Sequence, residues 1–193
     1  SDCLVGSEMC IRDRILGVAI DIGSTTMSAQ ICDMNSGEVL AVSGMMNPQI
    51  RFGEDLMSRV SYGFMNEGGA EKLTKAVQNG LQELIEKASK QEGLNVQDIF
   101  EIVLVGNPVM HHLVLGIDPV ELGGAPFALT LDTAVNCLAE EVGLRFNAAT
   151  RVYLLPCIAG HVGADAAGAV LAEALQDSDC LLYTSDAADD DHC

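Results

Sequence analysis

The chain has 193 residues, 28 Asp and Glu against 10 Lys and Arg, a formal charge of −18 and 49% apolar residues; this composition fits one or two packed domains and not a disordered chain. So negative a balance repels phosphate backbones and anionic lipid, which argues against nucleic acid or a membrane as partner through a general basic field, and no apolar run reaches the roughly 18 residues of a spanning helix. The seven cysteines, at 3, 10, 32, 137, 157, 180 and 193, include no C-x-x-C pair and no zinc-ligand spacing, so disulfide scaffold, zinc site and iron–sulfur cluster are all unsupported.

The stretches SEMCIRDR (7–14) and CLLYTSDAADD (180–190) match nothing in the periodic pattern between them. They resemble translated sequencing-adapter read-through, so 1–14 and 179–193 are expected to be scars that do not belong to the fold. Residues 1–14 also lack the apolar h-region and cleavage site of a signal peptide. The remaining stretch, 15–178, keeps three cysteines, 20 acids and 8 bases, for a net −12. It reads as cysteine-poor and cytoplasmic in style.

Residues 15–20 form an apolar run leading into Asp21-Ile22-Gly23, then Ser24-Thr25-Thr26 and an alternating stretch through Cys32: strand, tight turn, strand. Ser36-Gly37 separates these from a third antiparallel strand over 38–42, and Asn47-Pro48 breaks the pattern. Leu56, Val60 and Phe64 then recur every fourth residue, predicting one face of a helix of about three turns. A longer helix follows through Leu73, Val77, Leu81, Leu84 and Ala88, with Gly93 at the expected C-terminal cap. The charged residues of 70–92, Glu71, Lys72, Lys75, Glu83, Glu86 and Lys87, form a solvated face.

Ile102 to Val105 predicts a buried strand, and Asn107-Pro108 an N-cap and first helical residue, with that helix stopping near Gly116. Ala134 to Val142 forms a further amphipathic segment before Gly143, Val152 to Leu155 a strand, and Gly163 to Leu175 an alanine-rich helix suited to lie close against another backbone. No internal repeat, low-complexity tract or linker interrupts 15–178. Hairpins first and then strands alternating with helices predict an α/β fold with a mixed sheet.

The segment Asp21-Ile22-Gly23-Ser24-Thr25-Thr26 carries the clearest chemistry. Gly23 at the turn lets backbone N–H groups converge on an anion, and Ser24, Thr25 and Thr26 add hydroxyl donors for phosphate oxygens. The Asp21 carboxylate would repel phosphate directly, so its place is to hold Mg2+ through a water. An ordinary hairpin with Asp-x-Gly turn chemistry fits the same residues. G-x-x-x-x-G-K-[ST] and G-x-G-x-x-G opening a helix are both absent, which removes the P-loop and Rossmann readings. Asp165 opens the alanine-rich helix, either as a simple N-cap or as an acid that orients the attacking water in phosphoryl transfer. Adjacent His111 and His112 point about 100° apart, which disfavours a metal site. His161 reads as a local structural contact, and Cys32, Cys137 and Cys157 as buried small hydrophobes.

The strand–DIGSTT–strand hairpin, followed by strands, helices and an acid on an alanine-rich helix, resembles the actin-like ATPase superfamily, whose core is a ribonuclease H-like mixed sheet with flanking helices. Within it, Asn47-Pro48-Gln49 with Phe52-Gly53-Glu54-Asp55 and Ser58-Arg59, then Val105 to Leu113, then Leu155 to Asp165, resemble the reductive activators of corrinoid proteins. The resemblance implies ATP and Mg2+ as cofactors, with ATP binding or hydrolysis driving the return of a Co(II) corrinoid to Co(I). It implies a corrinoid protein or corrinoid-dependent methyltransferase as partner, a possible homodimer, and a [2Fe–2S] cluster only in a preceding domain missing here. Residues 15–150 then correspond to the first ATPase subdomain, and 151–178 to the start of the second region with its connecting helix. By this resemblance Asp21, Gly23, Ser24, Thr25 and Thr26 form the first phosphate loop, and Asp165 positions water or magnesium. The chain is expected to be the first half of such an ATPase fold, inactive alone, stopping where a second phosphate loop would begin at 176–178. A small-molecule kinase of the same superfamily, with Asp165 as base, and a non-catalytic partner-binding module are the alternatives.

Overall fold

The computed structural model describes residues 14–173. The suspected scar at 179–193, nearly all of the one at 1–14 and the end of the alanine-rich helix lie outside the described residues, as does the point where a second phosphate loop would begin.

Strands β1 (Leu16–Ile22), β2 (Thr26–Asp33) and β3 (Val39–Met46) form the expected antiparallel meander. Helices α1 (Leu56–Met65) and α2 (Gly69–Gln91) follow, then β4 (Ile99–Gly106), α3 (Pro108–Val114), β5 (Val135–Leu138), β6 (Arg151–Leu154) and α4 (Ala164–Ala172). The six strands form one mixed sheet in the order β3-β2-β1-β4-β6-β5, with β1, β4 and β6 parallel. This is the α/β fold with a mixed sheet that the hairpin-first element order predicted.

Side chains alternate across a pleated strand, so one parity of each strand makes one face. Val18, Ile20 and Ile22 of β1 lie in register with Ile31, Ala29 and Met27 of β2 and with Ile102, Leu104 and Gly106 of β4. That face is buried under α2, whose Leu73, Val77, Leu81 and Leu84 are all fully enclosed. The opposite parity, Ala19 and Asp21 of β1 with Thr26, Ser28 and Gln30 of β2, is exposed. Helix α4 lies on this second side, against β4: a Cβ added at its Gly168 would touch Val105 at 3.2 Å.

The local end signals operate as expected. Asn107 accepts the Met110 N–H at 3.0 Å, and Pro108 opens α3. Gly93, at φ +66°, lets Leu94 N–H return to the Ser89 carbonyl at 2.8 Å and closes α2.

Two expectations are corrected. Phe64 does not continue the inward face of α1; it is 75% exposed. Glycines take its place, because a Cβ on Gly69 would lie 2.9 Å from the Gly63 Cα, so α1 and α2 meet backbone to backbone at Gly63. The amphipathic segment Ala134 to Val142 is not one element either. Its first part is β5, paired antiparallel with β6, and its second is a 3-10 turn over Ala139–Val142. The free edge of β6 supplies ladder hydrogen bonds that a short isolated helix could not match.

Candidate functional site

The β1–β2 turn is shaped by contact and not by an unusual backbone angle. A Cβ on Gly23 would lie 2.5 Å from the Thr26 carbonyl oxygen, so only glycine fits this close crossing. Behind the turn lies the segment that follows β3. Asn47 N–H donates to the Thr25 carbonyl at 2.8 Å, and Asn47 Nδ2 to the Gly23 carbonyl at 2.9 Å. Arg59 Nη2 donates to the Ser24 carbonyl. The two groups of a trans peptide point in opposite directions, so anchoring the Gly23 and Ser24 carbonyls turns the N–H groups of Ser24 and Thr25 the other way. Neither of those N–H groups has a protein acceptor among the described residues.

The supporting segment is itself held by packing. Asn47, Gln49 and Arg59 are fully or almost fully buried. Gln49 Nε2 donates to the Leu73 carbonyl at 2.9 Å, which ties the segment to α2. Gly80 makes room for it, since a Cβ there would lie 2.8 Å from Pro48 Cγ and 2.9 Å from Met27 Cε.

Asp21 projects from the open face of β1, directly across from Ser28 of β2 and beside Val105 of β4. Its pKa is raised, first by loss of hydration beside the protein and then by the like charge of Asp165. The two acids, from opposite ends of the described chain, thus share one electrostatic neighbourhood. Asp165 is not the N-cap of α4: that position is Gly163, and the Asp165 carboxylate accepts the Ala166 N–H at 2.8 Å in the first turn. Gly163 brings α4 against the β4–α3 loop, since a Cβ on it would lie 2.5 Å from the Gly106 carbonyl oxygen and 2.6 Å from Asn107 Cα.

The hairpin, Asp21, the Gly106–Asn107 loop and the start of α4 therefore border one region. Its N–H groups and hydroxyls can receive an anion, and its two carboxylates can hold a hard cation or orient a water. Ser24 and Thr25 also open onto a second hollow of about 460 Å³, lined by Glu54, Asp55, Leu56 and Met57. Asp55 is committed there to capping α1, accepting the Ser58 N–H at 2.7 Å, and that bond is the first cause of its lowered pKa.

No local sequence pattern gives Asn47, Gln49, Arg59 or Gly106 a functional role. Only the break at Asn47-Pro48 signalled that this stretch was a built turn.

His112 is locked as a neutral ring: its Nδ1 lies 2.8 Å from the Pro108 carbonyl, and its Nε2 accepts the Thr130 N–H at 3.1 Å. Neither nitrogen is left for a metal. His161 is exposed in the turn before α4. The three described cysteines are free, but only Cys157 is buried as expected; Cys32 and Cys137 are half-buried, and loss of hydration raises the thiol pKa of Cys137 and of Cys157. No described helix is long and apolar enough to cross a membrane.

Comparison with known proteins gives a consistent picture. The protein family described as the RACo middle region matches residues 16–178. A Eubacterium limosum protein described as corrinoid activation enzyme RamQ is 34% identical over 157 residues, which is 81% of this chain and 26% of that protein. A solved structure of a reductive activator for corrinoid, iron-sulfur protein superposes with a TM-score of 0.83 at 39% identity, over 87% of this chain and 27% of the other. The chain thus spans about a quarter of the length of these relatives.

Proposed function

Because the chain belongs to the RACo middle-region family of reductive activators of corrinoid proteins, we propose that it is part of an activator that couples ATP binding or hydrolysis to reduction of a corrinoid from Co(II) to Co(I). The observation that carries the nucleotide half of this reading is the approach of Asp165 to Asp21 beside the Gly23–Thr26 turn, on the open face of the sheet.

In this reading the Ser24 and Thr25 N–H groups, with the hydroxyls of Ser24, Thr25 and Thr26, receive phosphate oxygens. The residues fit Mg2+: both acids are hard oxygen donors, and a like charge beside Asp21 is what a divalent cation relieves. Asp21 would hold the ion through a water, and bound Mg2+ supplies neutralisation of the phosphate charge. Asp165, in the first turn of α4, orients the attacking water by accepting its hydrogen bond.

Cys32 and Cys137 lie on β2 and β5, separated in the sheet by β1, β4 and β6, so the described cysteines do not gather as cluster ligands. The reading therefore assigns a [2Fe–2S] centre to another part of a longer protein, of which this chain supplies 15–150 as a first ATPase subdomain and 151–178 as the start of the next. The corrinoid protein or methyltransferase is the partner, the cytoplasm the compartment, and a homodimer the assembly to test for.

The test is made on that longer protein under anaerobic conditions, following Co(II) and Co(I) absorbance with a chemical reductant, with and without MgATP. Wild type should reduce the corrinoid only with ATP, whereas Asp21→Asn and Asp165→Asn should lose at least tenfold in rate while melting normally. Reduction independent of ATP, or variants as fast as wild type, would sink the proposal.

A further inference from the structure

Arg59 is 0% exposed, yet no carboxylate lies within ion-pair distance of it among the described residues. A buried guanidinium is normally paired with an acid, because desolvation of an isolated charge is severe. Here carbonyl oxygens take the place of the acid. Nε donates to the Gly53 carbonyl at 3.0 Å, Nη1 to Gln49 Oε1 at 3.4 Å, and Nη2 to the Ser24 carbonyl, with Met110 Sδ at 3.8 Å from Nη1. Asp55 is the acid that acts on Arg59 through space, but its carboxylate caps α1 in open solvent, where water and salt screen it. The result is an arginine whose charge is left largely uncancelled one peptide unit behind the N–H of Thr25.

We infer that Arg59 is a positioning residue of the phosphate loop: it fixes the Ser24 carbonyl so that the Thr25 N–H faces an anion, and its buried charge attracts that anion from behind. The inference rests on the phosphate reading above and extends it to a residue outside the loop. The ligand class is a polyanionic phosphate chain, because a fixed buried cation favours the more highly charged species.

The experiment titrates the full 193-residue chain with orthophosphate, pyrophosphate and tripolyphosphate, each with Mg2+, by calorimetry, and records thermal melts in parallel. Three variants are compared with wild type. Arg59→Met removes the charge, Arg59→Lys keeps it without the fork of donors, and Gln49→Glu sets a carboxylate beside it. Wild type should bind tripolyphosphate most tightly. Arg59→Met and Gln49→Glu should lose about tenfold or more for tripolyphosphate and progressively less down the series; Arg59→Lys should fall in between.

Variants that bind like wild type overturn the inference alone. An equal loss for all three anions, or the collapse of cooperative melting in every variant, gives Arg59 a merely structural part and also overturns it. If wild type binds none of the anions, the phosphate reading itself falls and takes the inference with it.

Discussion

His111 offers a stability test that is independent of any ligand. Its ring is 3% exposed, and neither ring nitrogen has a hydrogen-bond partner among the described residues. Burial, then electrostatic coupling to the neighbouring His112 ring, push its pKa down to about 4; the nearby Leu155 backbone pulls the other way without forming a bond of normal geometry. An unfolded histidine titrates near 6.5, so between 6.5 and about 4 the unfolded chain binds a proton that the folded chain refuses. The stabilisation is therefore complete above pH 6.5 and is lost as pH falls toward about 4. The whole gap corresponds to about 3 kcal/mol, of which about 2 kcal/mol is already lost by pH 5. Leucine is of similar bulk and removes both the titration and the two orphaned nitrogens. Urea unfolding of wild type and His111→Leu, at steps from pH 7.5 to 5, isolates this group, because every other titration is common to both proteins. Wild type should lose about 2 kcal/mol more than the variant over that range. Parallel stability curves would refute the argument.

Three further outcomes follow from the site and its support. Gly23→Ala forces a methyl to within 2.5 Å of the Thr26 carbonyl; it should destabilise the chain by about 1–3 kcal/mol in urea melts and weaken phosphate binding, and an unchanged melt would contradict the contact. Asp165→Asn removes the like charge beside Asp21, so the Asp21 carboxyl, followed by carbon-13 NMR, should titrate at lower pH than in wild type; an unmoved or raised titration would separate the two acids. Gly80→Val drives side-chain atoms into Pro48 and Met27; it should cost about 1–3 kcal/mol and displace the Asn47 contacts to the turn, seen as faster amide exchange at Ser24 and Thr25.

What the chain determines by itself lies in short-range signals. The β1–β2 hairpin, the Asn107-Pro108 start of α3, the Gly93 end of α2 and the apolar run of β4 each follow from residues a few positions apart, whose backbone preferences act before any tertiary contact forms. The DIGSTT turn was legible as an anion-binding candidate for the same reason. Tertiary structure decided the rest. Whether 134–142 becomes helix or strand depends on the open edge of β6, and whether Gly63 or Phe64 faces inward depends on how closely α2 approaches. Asp21 and Asp165 are far apart in sequence, and only the parallel β1–β4–β6 order with α4 laid over it puts their charges in reach of each other. Arg59 reads as surface in any local window. It is buried because acceptors from two separate stretches, Ser24 of the β1–β2 turn and Gln49 and Gly53 of the turn after β3, converge on one guanidinium, and no sequence period encodes that convergence.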